Sequence, residues 1–259
     1  MTAAAGPLAG QGILVTRPAH QAGPLAVLIH AAGGQPIIFP ALEILDPEDP
    51  QPLLDAIERL DSYDLAIFIS PNAVTRVMER MAGRRAWPAG LRVAAIGKGG
   101  VNELERHGIR EVIAPQRSFD SERLLEMPQL QAVGGQRVLI LRGDGGRELL
   151  GDTLAARGAQ VDYVACYRRA RPQTDPAPLL QVWARDGIQA VIVTSSEGLR
   201  NLFVMLGKSG VSLLQHTPLL VPHPRIAAVA RDLGCREIIE TAAGDDGLLE
   251  ALLQQSAAK

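Results

Sequence analysis

Short apolar runs recur along the chain, separated by stretches with helical periodicity. The runs lie at 13–15, 65–69, 93–96, 112–113, 138–141, 191–193, 219–221 and 238–239. Each is three to five residues long or shorter, without strict apolar/polar alternation, as expected of strands buried on both faces. The intervening stretches read as amphipathic helices, and Gly33 and Gly158 close two of them as C-caps. Two further β-rich segments, PIIFP at 36–40 and VDYVA at 161–165, follow those glycines. Alternation of this kind predicts parallel sheets covered by helices on both sides, a doubly wound α/β fold.

The chain also repeats itself. At an offset of 125, ILVTR at 13–17 lies over VLILR at 138–142, and DLAIFIS at 64–70 lies over QAVIVTS at 189–195. One residue later, at an offset of 126, HGIREVI at 107–113 covers LGCREII at 233–239. Three matches in the same order point to two diverged copies of one unit of about 125 residues.

Composition narrows the chemistry. Of 259 residues, 47% are hydrophobic but only 3% aromatic, so the cores must be aliphatic. A net charge of −2, from 26 basic and 28 acidic side chains, excludes a generally basic nucleic-acid binder; anions must be held by local sites. Cys166 and Cys235 make neither a disulfide framework nor a metal spacing, which fits a reducing cytoplasm. The five histidines are scattered without ligand spacing, so no metal is expected. MTAAAGPLAGQG lacks the features of a signal peptide and reads as a frayed tail. Residues 18–42 carry no formal charge, yet their Gln, Gly and Pro break any membrane-spanning run, so no membrane contact is expected.

Open α/β sheets bind ligands beyond the carboxyl ends of their strands, and polar residues gather there. Arg17, Ser70, Lys98, Gly99, Arg142, Gly143, Ser195 and Ser196 all follow predicted strands. Amide groups at the following helix starts favour anions, although a serine in that place is ordinarily just an N-cap. Arg17 and Arg142 occupy equivalent positions in the two copies and could each fork a carboxylate. Arg147 is a further candidate; Arg200 and Arg225 are weaker. GKGG at 97–100 lacks the last glycine of a dinucleotide fingerprint, and GDGG at 143–146 lacks the end of a P-loop. Ser70 and Ser195 have no nucleophile-elbow frame.

The succession ILVTRP at 13–18, FISPNAV at 68–74, VAAIG at 93–97, RVLILRGDGGRELLGDTLAARGAQVDYVACYRR at 137–169, VIVTSSEGL at 191–199 and PRIAAVARDLG at 224–234 resembles the uroporphyrinogen-III synthase family over nearly the whole chain. The resemblance implies two flavodoxin-like α/β domains joined by a two-stranded linker. The domains would be residues 1–36 with 170–259, and residues 45–161. Residues 37–44 and 162–169 would form a β-ladder hinge. It further implies a cofactor-independent cyclase acting on hydroxymethylbilane, a linear tetrapyrrole with eight carboxylates. The substrate loses its hydroxyl as water and closes, through a spiro intermediate, with its last pyrrole ring inverted. Holding such a floppy polyanion in reactive shape can supply roughly 7–11 kcal/mol.

Tyr167 resembles the family tyrosine proposed to help the hydroxyl leave, placed in a linker facing a cleft; a phenol is protonated at neutral pH and can donate. It could equally be an aromatic staple of the hinge. Arg168, Arg169 and Arg171 read as a solvated linker face. Two departures stand out: Lys-Gly-Gly at 98–100 lacks a family threonine, and Pro-His-Pro at 222–224 lacks Gly-Thr character. Backbone N–H groups of Gly99 and Gly100, or Ser70 and Ser195, would replace them. A monomer with transient contact with the preceding pathway enzyme is expected. A two-lobed binding module that closes on a polyanion without chemistry remains an alternative; a sugar-nucleotide transferase would need a nucleotide site that the sequence does not offer.

Overall fold

The computed structural model describes residues 6–115 and 120–257. The chain divides into two compact units, Met1–Glu43 with Ala170–Lys259, and Ile44–Arg169. The first unit holds β1 (Gly12–Val15), α1 (Ala19–Ala31) and β2 (Gln35–Ile38), then α8 (Ala177–Ala184), β9 (Ala190–Ile192), α9 (Ser196–His216), β10 (Leu219–Val221), α10 (Pro224–Asp232), β11 (Ile238–Glu240) and α11 (Gly244–Ala257). Between these segments run β3 (Glu43–Leu45), α2 (Gln51–Glu58), β4 (Leu65–Phe68), α3 (Pro71–Met81), β5 (Arg92–Ala95), α4 (Lys98–Arg106) and β6 (Val112–Ile113). They continue with α5 (Ser121–Leu125), α6 (Pro128–Gln131), β7 (Arg137–Gly143), α7 (Leu149–Ala156) and β8 (Gln160–Ala170).

In the first unit the sheet order is β11-β10-β9-β1-β2, all parallel. In the second it is β3-β8-β7-β4-β5-β6, and the pairs from β8 to β6 are parallel. The opening βαβ of copy one therefore lies with the later strands of copy two, and the reverse. The duplication survives in the hydrogen-bond register. Ile13 faces Pro36 as Val138 faces Val161, and Ile13 faces Ala190 as Val138 faces Leu65, each at the offset of 125. Leu219 faces Ile238 as Val93 faces Val112, at the offset of 126.

Successive strand residues feed opposite faces of each sheet. In the first unit Ile13, Val15, Ala190, Ile192 and Leu220 pack with Leu25 and Ile29 of α1 and Leu248 and Leu252 of α11. Leu14, Val191, Val193, Leu219 and Val221 pack with Trp183, Leu202 and Ile226 from α8, α9 and α10. In the second unit Leu65, Ile67, Val138 and Ile140 meet Leu124, Leu130, Leu150 and Leu154 of α5 to α7. Both α1 and α7 stop at a glycine held at positive φ, 88° at Gly33 and 87° at Gly158, a geometry that a Cβ would strain. The following amides, Gly34 and Ala159, return to the carbonyls of Ile29 and Leu154.

Two expectations change. The tail expected to fray is packed from residue 6 onward: Leu8 is wholly buried against the α1 core, and its amide donates to the Ala32 carbonyl; residues 1–5 lie outside the described part. The ranges expected to form a hinge are in large part ordinary sheet. Ile37 and Ile38 pair with β1, and 162–167 pair with β7. The offset aligned 37–44 with 162–169, but the two strands have unequal lengths. β2 ends at Ile38, although the Phe39 and Ala41 amides still donate to the Val15 and Thr16 carbonyls at 3.0 Å, whereas β8 runs eleven residues. The chain passes between units within β3 and at the end of β8, which are neighbours in the second sheet.

Candidate active site

The carboxyl ends of β4, β7 and β8 lie side by side in the second unit. There Ser70, Gly143 and Tyr167 converge. The parallel register runs residue for residue from Arg137 opposite Gln160 to Arg142 opposite Ala165, then slips so that Gly143 faces Tyr167. Cys166 is the extra residue of this bulge. Bulges re-aim side chains, and this one brings the Tyr167 ring over Gly143. A Cβ built on Gly143 would lie 2.7 Å from Cε2, 2.8 Å from Cζ and 3.1 Å from Oη of that ring. Only glycine leaves room.

The hydroxyl of Tyr167 meets two polar groups. Ser70 Oγ is 2.9 Å away. Ser70 is also the N-cap of α3, accepting the Ala73 amide at 3.2 Å, with Pro71 in the first helical turn. From the other direction Arg169 Nη2 donates to Oη at 3.2 Å, and its guanidinium carbon lies 5.6 Å from the ring centroid. The turn after β7 is tied to the same strand: the Asp144 amide donates to the Tyr167 carbonyl at 2.9 Å, and Asp144 Oδ1 accepts the Arg169 amide at 3.1 Å. Tyr167 is only 1% exposed. The linker position expected for it is thus corrected: it belongs to a sheet strand, and its ring is enclosed because the bulge turns it onto Gly143. Cys166 beside it is buried too, which pushes its thiol up to about 12.

Arg142 is adjacent but differently used. Its guanidinium carbon stacks 4.1 Å from the Tyr163 ring centroid, and Nη1 is buried without a hydrogen-bond partner. Tyr163 Oη accepts the Gly151 amide at 2.9 Å and donates to the Glu148 carbonyl at 3.0 Å, fastening the start of α7. Lys98 and Gly99 are exposed at the first turn of α4, and a Cβ on Gly99 would lie 3.0 Å from Pro71 Cγ, so this turn abuts the start of α3. Arg147 stands apart: it forks onto Glu122 of α5 at 2.6 and 3.2 Å on the exposed surface, holding that carboxyl below its ordinary range.

The remaining candidates lie in the first unit, at the carboxyl ends of β1 and β9. Arg17 is spent on an ion pair with Asp245 of α11. Ser195 is the N-cap of α9, accepting the Gly198 amide at 2.9 Å, while Ser196 Oγ is buried without a partner. Thr16 is buried and donates to the Ile192 carbonyl at 2.8 Å. In the Pro-His-Pro loop His223 caps α10 through Nδ1, which accepts the Arg225 amide at 3.0 Å. Among the described residues no group of three His, Cys, Asp or Glu is placed to hold a metal ion, and no helix is long and apolar enough to cross a membrane.

Sequence reasoning missed Arg169 by reading a run of arginines as solvated. A signal was available: residues two apart on a strand share a face, so an arginine two positions after Tyr167 falls on the side of its ring. It also missed the pair Tyr63 and Asp162 at the amino end of the same sheet, joined by a 2.7 Å bond with Arg137 4.9 Å over the tyrosine ring.

The family model described as uroporphyrinogen-III synthase HemD matches residues 23–250. The chain belongs to the uroporphyrinogen-III synthase family. It is 36% identical over 243 residues to the uroporphyrinogen-III synthase of Escherichia coli, covering 93% of this chain and 99% of that one. To the uroporphyrinogen-III synthase of Synechococcus elongatus it is 33% identical over 207 residues, covering 78% and 77%. Among solved structures it is similar to a mutant uroporphyrinogen III synthase from Thermus thermophilus, with a TM-score of 0.60, 17% identity, and 96% and 99% of the two chains covered. The uroporphyrinogen-III synthetase of Helicobacter pylori gives a TM-score of 0.57 at 14% identity, covering 95% and 99%. These two structures support the two-domain α/β fold.

Proposed function

We propose that this chain is a cyclase that converts hydroxymethylbilane into uroporphyrinogen III, with loss of water and inversion of the terminal pyrrole ring. The reaction is then that of a carbon–oxygen lyase, performed by protein groups alone. The observation that carries the reading is the convergence of Tyr167, Ser70 and Gly143 at the carboxyl edge of a parallel sheet, in a chain of this family. Tyr167 donates its proton to the departing hydroxyl oxygen; the C–O bond breaks with its electron pair on oxygen, and water leaves. The cation left behind is shared with the pyrrole nitrogen, which is why an electron-rich bilane needs no stronger acid. The exposed Lys98–Gly99 turn opens α4 against the start of α3, where the helix dipole and the first-turn amides of α4 would favour substrate carboxylates.

A monomer acting in the cytoplasm, with transient contact with the enzyme that supplies the bilane, is part of the same proposal. A binding module without chemistry is not favoured, because the family relationship spans nearly all of the chain and of its relatives. The test is to supply hydroxymethylbilane enzymatically and separate the product isomers. The cyclase gives type III. Only the symmetrical type I isomer, which forms without inversion, would overturn the proposal.

A further inference from the structure

A phenol that gives up its proton while 1% exposed leaves a phenolate almost without water, and a bare buried anion is costly. The chain places two groups against that oxygen: the Arg169 guanidinium, which donates at 3.2 Å, and the Ser70 hydroxyl at 2.9 Å, which can donate or accept and donates once the oxygen is a phenolate. We propose that Arg169 is a positioning residue that orients the Tyr167 hydroxyl and stabilises the phenolate formed when its proton leaves; this rests on the function proposed above. Oη has two lone pairs. When Arg169 donates into one and Ser70 into the other, the phenol's own proton has no acceptor in the protein and is left for the bilane hydroxyl.

The step balances. The proton moves from Oη to the bilane oxygen, the C–O pair leaves on water, and the positive charge stays on the substrate. The phenolate is held by the charge-assisted Arg169 bond and the Ser70 bond. It regains a proton when the closed macrocycle loses one on rearomatising, so one water is the net loss. The backbone supports this use of Arg169, since the Asp144 carboxylate accepts its amide at 3.1 Å and the Asp144 amide returns to the Tyr167 carbonyl. Residues 167 and 169 are thereby fixed on one side of the strand.

The test is a double-mutant cycle on the full chain, read as kcat and KM for type III product. Arg169→Gln is expected to lower kcat about 10-fold with KM changed less than about twofold, and Arg169→Lys, which keeps the charge, to recover part of the loss. In a Tyr167→Phe background, Arg169→Gln is expected to have no further effect on kcat, because the group it acts through is gone. Equal losses in both backgrounds would overturn the proposal, as would a raised KM with unchanged kcat, which would assign Arg169 to a substrate carboxylate. If Arg169→Gln does not fold, Arg169→Lys carries the same cycle. A fully active Tyr167→Phe variant would instead remove the proton-donor reading itself, an outcome visible before Arg169 is altered.

Discussion

Replacing Gly143 by alanine probes the site through a single methyl group. Two effects oppose each other. Gly143 is not among the glycines at positive φ, so its backbone accepts alanine, and within a strand that exchange ordinarily gains about 0.5–1 kcal/mol. Against this, the new Cβ would stand 2.7 and 2.8 Å from two carbons of the Tyr167 ring. Reaching ordinary contact requires a retreat of about 0.6–0.7 Å in a close-packed environment. The ring is held by Ser70 and Arg169 at its hydroxyl and is almost wholly enclosed, so it cannot yield cheaply. Overpacking of this kind costs about 1–3 kcal/mol. The clash therefore wins, and Gly143→Ala should be destabilised by about 1–2 kcal/mol, read as a fall in Tm of about 2–8 °C. Displacing the hydroxyl by a large fraction of an ångström should also cost about 10- to 100-fold in kcat for type III product. In a Tyr167→Leu background, where Cε2 and Cζ are absent, the same alanine should cost nothing or gain slightly. A Gly143→Ala protein as stable and as active as its parent, or an equal cost in both backgrounds, would refute the reasoning.

Further expectations follow from other contacts. Burial, then the bond to Asp162, raises the Tyr63 phenol from 10.0 to about 12. The folded state thus favours the protonated phenol, so its contribution is complete below pH about 10 and is lost as pH rises towards about 12. Tyr63→Phe should flatten that part of an alkaline denaturation curve, and an unchanged slope would count against the pairing. Asp245→Asn should lower stability by about 1 kcal/mol in urea denaturation by weakening the partly buried charge-assisted bond to Arg17; no change would mean that the ion pair contributes nothing. Burial pushes the thiols of Cys166 and Cys235 up to about 12 and about 11. Neither should react quickly with a thiol reagent at pH 8 in the native protein, and both should react once it is unfolded. One rapidly titrating native thiol would contradict the described burial.

The strands, their parallel pairing and the duplication are legible from residue pattern because they rest on repetition. Burying both faces of a strand demands apolar runs, and homologous strands keep their ladder register, as Ile13 with Pro36 and Val138 with Val161 do. The site is legible only in part. Ser70 and Gly143 stand out by following strands, but the enclosure of Tyr167 depends on a one-residue slip at Cys166 that no local pattern announces. The role of Arg17 depends on Asp245, 228 residues away, and charge pairs at such separation leave no periodic trace. Arg169 lay within reach of strand geometry, yet its place in a basic run suggested solvent instead.

The exchange of opening strands between the two sheets has a consequence for biosynthesis. A ribosome synthesises every strand of the inserted unit before it makes β9, so that unit can complete its hydrogen bonding while translation continues. The strand β1 must wait, because its inner neighbour arrives about 177 residues later, the separation of the Gly12 to Gln189 bond. Until then its apolar edge is an unmatched seam on the nascent polypeptide, and any chaperone that shields the emerging chain has its first task there.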